Sequence, residues 1–197
     1  ETTDSKDELL RKGSEESKYR NHIRYSNIWC VKRYNIVKVS VEGDFGKEVL
    51  FQLQELEKKA NIKLKNSHKI LLVEIGTVEQ ILSVLFDSPV TVEVKKQVIN
   101  DYKIEREVIL RVNNKDLVHA TTEIDVRTIP SGVVADIKEG KLGIGTIIAN
   151  HKLETFRMIV EVGYDSTRNI MYRVYEILYG AEPRFRISEE FYLDDIE

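Results

Sequence analysis

The stretch IEREVILRVNNKDLVHATTEIDV, residues 104–126, alternates apolar and polar side chains along most of its length. Apolar residues recur at every second position from 104 to 112, except for Arg106, and again from 118 to 126, except for Thr122. A period of two is typical of a β-strand with one buried face. The stretch therefore predicts two strands.

Similar alternation on either side of this stretch predicts further strands. They fall near residues 37–41, 90–94, 159–162, 170–179 and 185–193. Many strands joined by short turns, with few helices, are typical of an antiparallel sheet with helices packed on one side. The expected fold class is therefore α+β.

The helices are expected mainly in two segments. Residues 47–60, KEVLFQLQELEKKA, form one apolar helical stripe that consists of Val49, Leu50, Leu53, Leu56 and Ala60. A second helix is expected from Thr77 to Phe86, because Pro89 disfavours helical geometry just beyond it. Residues 130–148 combine helical character with a glycine-rich loop.

Composition divides the chain into two expected parts. Residues 1–46 read as a polar N-terminal tail and a short arm, and residues 47–197 as the main domain. The first 20 residues are either a mobile tail or a short solvated helix. The arm, which carries Tyr25 and Trp29, either docks a partner or packs on the main domain.

Overall charge and cysteine content narrow the class of protein. The formal net charge is −3, whereas nucleic-acid binders usually carry a basic excess. No apolar run approaches the ~18 residues that span a bilayer. Cys30 is the only cysteine, so no intrachain disulfide can form, and the start of the sequence lacks an apolar signal region. We therefore expect a cytoplasmic protein with no nucleic-acid or membrane partner.

The sequence lacks the common motifs of metal and nucleotide sites. It contains no H-E-x-x-H and no paired C-x-x-C, so we expect no metal. The run GKLGIG, residues 140–145, matches neither a dinucleotide-binding fingerprint nor a P-loop. Its glycines would instead let the backbone turn tightly or approach a ligand.

Two charged residues fall on the apolar faces of predicted strands. Arg106 shares parity with Val108 and Leu110, and Glu189 shares parity with Ile187 and Phe191. Buried charges cost several kcal/mol unless they are paired or matched by a ligand. Either the charges form a structural ion pair or reach water at strand ends, or they face a pocket. In a pocket, the arginine would clamp a carboxylate and the glutamate would handle a proton or hydroxyl group.

Short motifs at these positions resemble those of chorismate pyruvate-lyases. The run 106–110, REVIL, resembles the arginine strand of that family, Gly145 its glycine loop, and 188–193, SEEFYL, its terminal glutamate strand. Three further stretches favour the branch found in mycobacteria and archaea: KILLVEIGTVEQIL (69–82), VTVEVKKQVI (90–99) and HKLETF (151–156). The resemblance spans residues 47–194, most of the chain.

The resemblance implies a fold, a reaction and a set of site residues. The family fold is an antiparallel sheet with an enclosed ligand site, and its reaction converts chorismate into 4-hydroxybenzoate and pyruvate without a metal or organic cofactor. Arg106 would bind a carboxylate, and Glu189 would face the ring hydroxyl and assist proton transfer. The residues expected to add contacts are Thr77, Ile144 beside Gly145, and Arg173.

One departure from the family pattern leaves the ligand open. Some of these lyases carry a second arginine on the strand after the first, and Thr121 stands at the corresponding position. The protein is then a chorismate lyase, a non-catalytic module that binds a small cyclic carboxylate, or an enzyme of this fold that acts on a different cyclic carboxylate. A homo-oligomer is compatible with each alternative.

Overall fold

The computed structural model describes residues 36–40 and 47–196, and every structural statement below refers to them. They form seven strands: β1 (Ile36–Ser40), β2 (Thr91–Asn100), β3 (Lys103–Val112), β4 (Lys115–Asp125), β5 (Phe156–Asp165), β6 (Ile170–Tyr179) and β7 (Glu182–Tyr192). They also form five α-helices: α1 (Lys47–Ala60), α2 (Asn66–Val73), α3 (Val78–Phe86), α4 (Ser131–Glu139) and α5 (Ile144–Asn150). The expected tail and most of the arm lie outside the described residues.

All seven strands belong to one antiparallel sheet in the order β1-β5-β6-β7-β4-β3-β2. Strands β2 to β4 form one meander and strands β5 to β7 another, and the β4–β7 pairing joins them. Strand β7 therefore lies in the middle of the sheet, although it is last in the sequence. The predicted α+β class with an antiparallel sheet is confirmed.

Tight hairpins connect the strands of each meander. The β3–β4 turn consists of Asn113 and Asn114, both with positive φ, at 50° and 65°. The β6–β7 turn consists of Gly180 and Ala181, at 62° and 65°. Positive φ at both turn residues matches the right-handed twist of the flanking strands, and asparagine and glycine adopt it at low cost.

The five helices share one hydrophobic core with one face of the sheet. In β3, every second residue from Ile104 to Val112 is buried, as the alternation predicts. In α1, Val49, Leu53 and Leu56 are buried, but the prediction that Leu50 joins this stripe is wrong, since it is 46% exposed. None of the described helices combines the length and apolar character needed to cross a membrane.

Candidate functional site

A cavity lies between the middle of the sheet and the N-terminal ends of α3 and α5. Its volume is about 470 Å³ when the open solvent at its mouth is included, and the enclosed part is much smaller. The helical side contributes Gly76, Thr77, Val78, Glu79, Gly143, Ile144 and Gly145. The sheet contributes Val108, Leu110, Ala120, Thr122, Arg157, Tyr175, Ile187 and Glu189.

Glu189, on the central strand, presents a carboxylate to this cavity. Its side chain is buried, and each of its oxygens accepts one hydrogen bond: Oε2 from Arg173 Nε at 2.7 Å and Oε1 from the Tyr175 hydroxyl at 3.0 Å. Arg173 also donates to the Glu74 carbonyl at 2.6 Å and to Glu74 Oε1 at 2.7 Å. The buried Glu189 carboxylate is therefore fixed in orientation and its charge is compensated.

The surroundings of Arg173 and Tyr175 keep both groups protonated. Burial alone would lower the pKa of the Arg173 guanidinium, but the neighbouring carboxylates of Glu189 and Glu74 raise it above its usual value. Burial, reinforced by the charge of Glu189, raises the pKa of Tyr175 well above its usual value. Both groups therefore act as donors to Glu189 at physiological pH.

Arg106 lies beside the cavity without lining it. It is buried on the same sheet face as Glu189, and its neighbours Val108 and Thr122 do line the cavity. Its Nη2 donates to the Leu142 carbonyl at 3.0 Å, whereas Nε and Nη1 are buried without a partner among the described residues. Burial lowers the pKa of this guanidinium. Two buried donors without partners are costly unless a ligand or water satisfies them.

Thr77, Ile144 and Gly145 meet at the helical wall of the cavity. The Thr77 hydroxyl oxygen is buried and has no hydrogen-bond partner among the described residues. A Cβ on Gly145 would lie 2.6 Å from Thr77 Cγ2, so this glycine permits close approach of α5 to Thr77. Three of the expected site residues therefore form one wall, and Thr77 offers a side-chain oxygen as well as backbone.

Arg157 lies on β5 and lines the cavity, although it was not among the residues expected from the sequence. Its guanidinium carbon lies 5.9 Å from the centre of the Tyr175 ring. Within residues 36–40 and 47–196, no carboxylate forms an ion pair with it. Arg157 shares parity with Ile159 and Glu161, opposite the more apolar set of Met158, Val160 and Val162, so the parity argument that identified Arg106 gave no signal for it.

Glu79, in the first turn of α3, is a second lining residue that the sequence analysis missed. Burial raises its pKa, and the negative charges of Glu189 and Glu74 contribute to the rise, while Arg157 opposes it. A glutamate in the first turn of a helix is usually a solvated partner of the helix dipole, so its sequence position gave no distinct signal. The cavity thus contains two carboxyl groups in different environments.

Comparison with known proteins assigns the family. The chain is 33% identical to "Putative lyase MJ0807" of Methanocaldococcus jannaschii over 145 residues, which cover 65% of this chain and 79% of that protein. The chain belongs to the family of this archaeal protein. No family model matches the chain.

The chain is also similar, more distantly, to mycobacterial proteins. The chain is 23% identical over 161 residues to proteins named chorismate pyruvate-lyase from Mycobacterium tuberculosis and Mycobacterium bovis. The match covers 66% of this chain and 81% of each mycobacterial protein. The names of these relatives support the conclusion that the protein is a lyase. They do not identify its substrate.

Thr121 does not face the cavity. It pairs with Glu107 and Ser188 across the sheet, while its chain neighbours Ala120 and Thr122 line the cavity from the opposite face. Because adjacent strand residues point to opposite faces, a side chain at position 121 is directed away from the cavity. The lack of an arginine there therefore carries no information about the ligand.

The structure thus brings some predicted site residues together and separates others. Glu189, Thr77, Ile144 and Gly145 line one cavity, whereas Arg106 lies beside it. Arg173 does not line the cavity, and its guanidinium forms ion pairs with Glu74 and Glu189. The described residues contain no group of three or more His, Cys, Asp or Glu side chains that could hold a metal ion.

Proposed function

We propose that the protein is a chorismate pyruvate-lyase, which converts chorismate into 4-hydroxybenzoate and pyruvate. One observation carries the proposal. A carboxylate that lines the cavity, Glu189, shares a sheet face with a buried arginine, Arg106, whose Nε and Nη1 have no hydrogen-bond partner among the described residues. The family relationship supports the same reaction, because the mycobacterial relatives carry that name.

The proposed reaction is an elimination that makes an aromatic ring. The ring carbon that bears the hydroxyl loses its hydrogen as a proton, and the bond from the adjacent carbon to the enolpyruvyl oxygen breaks. The electron pair of the C–H bond completes the ring, and the departing enolate takes up a proton to become pyruvate. Because aromatisation is strongly favourable, orientation and charge placement can supply most of the rate.

Each site residue has a proposed role in this elimination. Arg106 binds the ring carboxylate through an N–H group that has no partner among the described residues, and Glu189 accepts a hydrogen bond from the ring hydroxyl and assists removal of the adjacent proton. Arg173 and Tyr175 act as positioning residues, because they hold Glu189 through one hydrogen bond to each oxygen. Thr77 and the backbone at Ile144 and Gly145 supply further contacts. The partner is a small-molecule substrate, and no cofactor takes part.

The test is to incubate the full chain with chorismate and measure both products, 4-hydroxybenzoate by chromatography and pyruvate by a coupled enzyme assay. We expect the two products in equal amounts, and we expect Glu189→Gln and Arg106→Gln each to lower kcat/KM about 100-fold or more. Arg186→Gln is the matched control. Arg186 lies on β7, as Glu189 does, but it pairs with Glu176 on the sheet face that points away from the cavity. Failure of the wild-type chain to exceed the spontaneous rate under single-turnover conditions would disprove the proposal.

A non-catalytic module that binds a cyclic carboxylate is the second candidate. The observation that favours it is that both oxygens of Glu189 already accept hydrogen bonds from protein donors, Arg173 and Tyr175. This candidate predicts that 4-hydroxybenzoate binds while chorismate stays intact in a single-turnover experiment.

A further inference from the structure

We propose that Arg157 is a second anion-binding residue of the cavity, so that the ligand is a cyclic molecule with two carboxylates, one for Arg106 and one for Arg157. The inference deepens the proposed function and rests on it for the identity of the ligand. It assigns a substrate-binding role to a residue on β5, a strand that carries none of the residues expected from the sequence.

The first argument is the ion pairing of the arginines. The structure describes eight: Arg106, Arg111, Arg127, Arg157, Arg168, Arg173, Arg184 and Arg186. Six of them form ion pairs with Asp or Glu. The two that do not, within the described residues, are Arg106 and Arg157, and these two lie beside and within the cavity. Cations at a cavity that form no ion pair with the protein indicate an anionic ligand.

The second argument is the position of the two arginines in the sheet. Arg157 is on β5 and Arg106 is on β3, and each of these strands lies two strands away from β7, on opposite sides. Since neighbouring strands are about 4.8 Å apart, the two arginine backbones lie about 10 Å to either side of β7, where Arg106 is level with Ile187 and Arg157 with Phe185. A ligand with an anionic group at each end would therefore cross β7 near Ile187, which lines the cavity together with Glu189.

The third argument is the orientation of Arg157. Its guanidinium lies near the Tyr175 ring, and the hydroxyl of the same tyrosine donates to Glu189. A Cβ at position 145 would lie 3.5 Å from Arg157 Nη2, so the guanidinium also reaches the helical wall of the cavity. Contact with the aromatic ring restrains the guanidinium and leaves its N–H groups available for a carboxylate.

The experiment compares two stable probes that cannot undergo the elimination, by calorimetric titration of the full chain. The probe 3-(1-carboxyvinyloxy)benzoate has two carboxylates, and 3-ethoxybenzoate has only the one on the ring. We expect Arg157→Gln to weaken the dicarboxylate about 10- to 100-fold and to leave the monocarboxylate within about 3-fold. Arg106→Gln weakens both probes, Arg157→Lys recovers part of the lost affinity, and Arg186→Gln changes neither affinity.

The outcomes separate this inference from the lyase proposal. Equal weakening of both probes by Arg157→Gln, or an unchanged affinity for the dicarboxylate, would overturn the role of Arg157 even if chorismate is converted. Failure of the wild-type chain to bind the dicarboxylate more tightly than the monocarboxylate would overturn it as well. Selective loss of the dicarboxylate would support it even if no turnover occurs, because neither probe reacts. Thermal unfolding of each variant identifies a loss of affinity that is caused by misfolding.

Discussion

Arg173 and Glu189 lie directly opposite each other on β6 and β7, and Arg173 Nε donates a 2.7 Å hydrogen bond to Glu189 Oε2. Their exposed fractions are 1% and 5%. The far end of the guanidinium binds the carbonyl and the carboxylate of Glu74, which directly follows α2. One buried arginine therefore links the carboxylate of the cavity to the segment that leads into its helical wall.

Replacing Arg173 by methionine should destabilise the protein by about 3–5 kcal/mol, because Glu189 and Glu74 would keep buried charges without a cation. Urea unfolding measures the loss. The Arg173→Met/Glu189→Gln double variant should recover part of it, because one of the uncompensated charges is removed.

Arg186→Gln is the matched control for this loss. Arg186 pairs with Glu176 between the same two strands, on the opposite and more exposed sheet face, at 2.6 Å. Exposed ion pairs contribute about 0–1 kcal/mol, so the control should cost less than 1 kcal/mol. Similar losses for Arg173→Met and Arg186→Gln would show that burial of the Arg173 pair has no energetic consequence.

Gly163 on β5 should not accept a side chain. It pairs with Tyr172 on β6, and a Cβ at position 163 would lie 2.3 Å from atoms of the tyrosine ring. We expect Gly163→Ala to cost about 1–3 kcal/mol in urea unfolding through overpacking. In a Tyr172→Val background the same alanine should cost less than about 0.5 kcal/mol. An equal cost in both backgrounds would assign the effect to the strand backbone and not to the ring.

Alternation along the strands predicted most of the sheet and the burial of two charged residues. The parity of Arg106 and Glu189 correctly placed both on the buried face, because a sheet with one apolar face enforces a strict period of two. Parity cannot show which neighbour a buried charge contacts. The partner of Glu189 is Arg173, sixteen residues earlier, and only the register of β6 against β7 brings the two together.

Local signals failed where tertiary contacts decide the structure. Helix α2 was not predicted, because it has eight residues and no side-chain cap at its N-terminus. It is stabilised by burial of Leu71 and Leu72 and by the hydrogen bond that His68 donates to the Ile196 carbonyl at 2.9 Å. Strand β5 was predicted too short, because its register shifts between Ile159 and Glu161 and interrupts the alternation. That shift concealed Arg157.

Glu79 should make stability fall as pH rises. Burial raises its pKa above the usual value of 4.5, so the folded state favours the protonated form. The resulting penalty is absent below the unfolded pKa and complete above the folded pKa. We therefore expect Glu79→Gln to leave the free energy of unfolding nearly unchanged at low pH and to increase it relative to wild type at neutral pH, measured by urea unfolding across this range.

Asp125→Asn is a control with the opposite sign. Hydrogen bonds from Arg127 lower the pKa of Asp125 from 3.8 to about 2, despite partial burial. Its stabilising contribution is therefore present above the unfolded pKa and is lost as pH falls through about 2. The Asp125→Asn variant should lose stability relative to wild type at neutral pH and converge with it in acid. If Glu79→Gln, like Asp125→Asn, lost stability relative to wild type at neutral pH, the result would contradict the burial of Glu79.

Gly145 and Thr77 should be coupled in ligand binding. A Cβ on Gly145 would lie 2.6 Å from Thr77 Cγ2, so Gly145→Ala must displace Thr77 and disturb the cavity wall. Overpacking of this kind costs about 1–3 kcal/mol. Where this cost destabilises the complex relative to the free protein, it lowers the affinity for 4-hydroxybenzoate by up to about 100-fold.

Thr77→Ser tests this coupling, because serine lacks Cγ2 but keeps the buried hydroxyl that has no partner among the described residues. With Cγ2 gone, the remaining contacts of the alanine Cβ are at 3.5 Å and 3.6 Å, ordinary van der Waals distances. We therefore expect the Gly145→Ala/Thr77→Ser double variant to bind 4-hydroxybenzoate nearly as tightly as Thr77→Ser alone, as measured by calorimetry. If the serine restores no affinity, the wall does not act through the Thr77 methyl group, and the proposed ligand contact at this wall loses its structural basis.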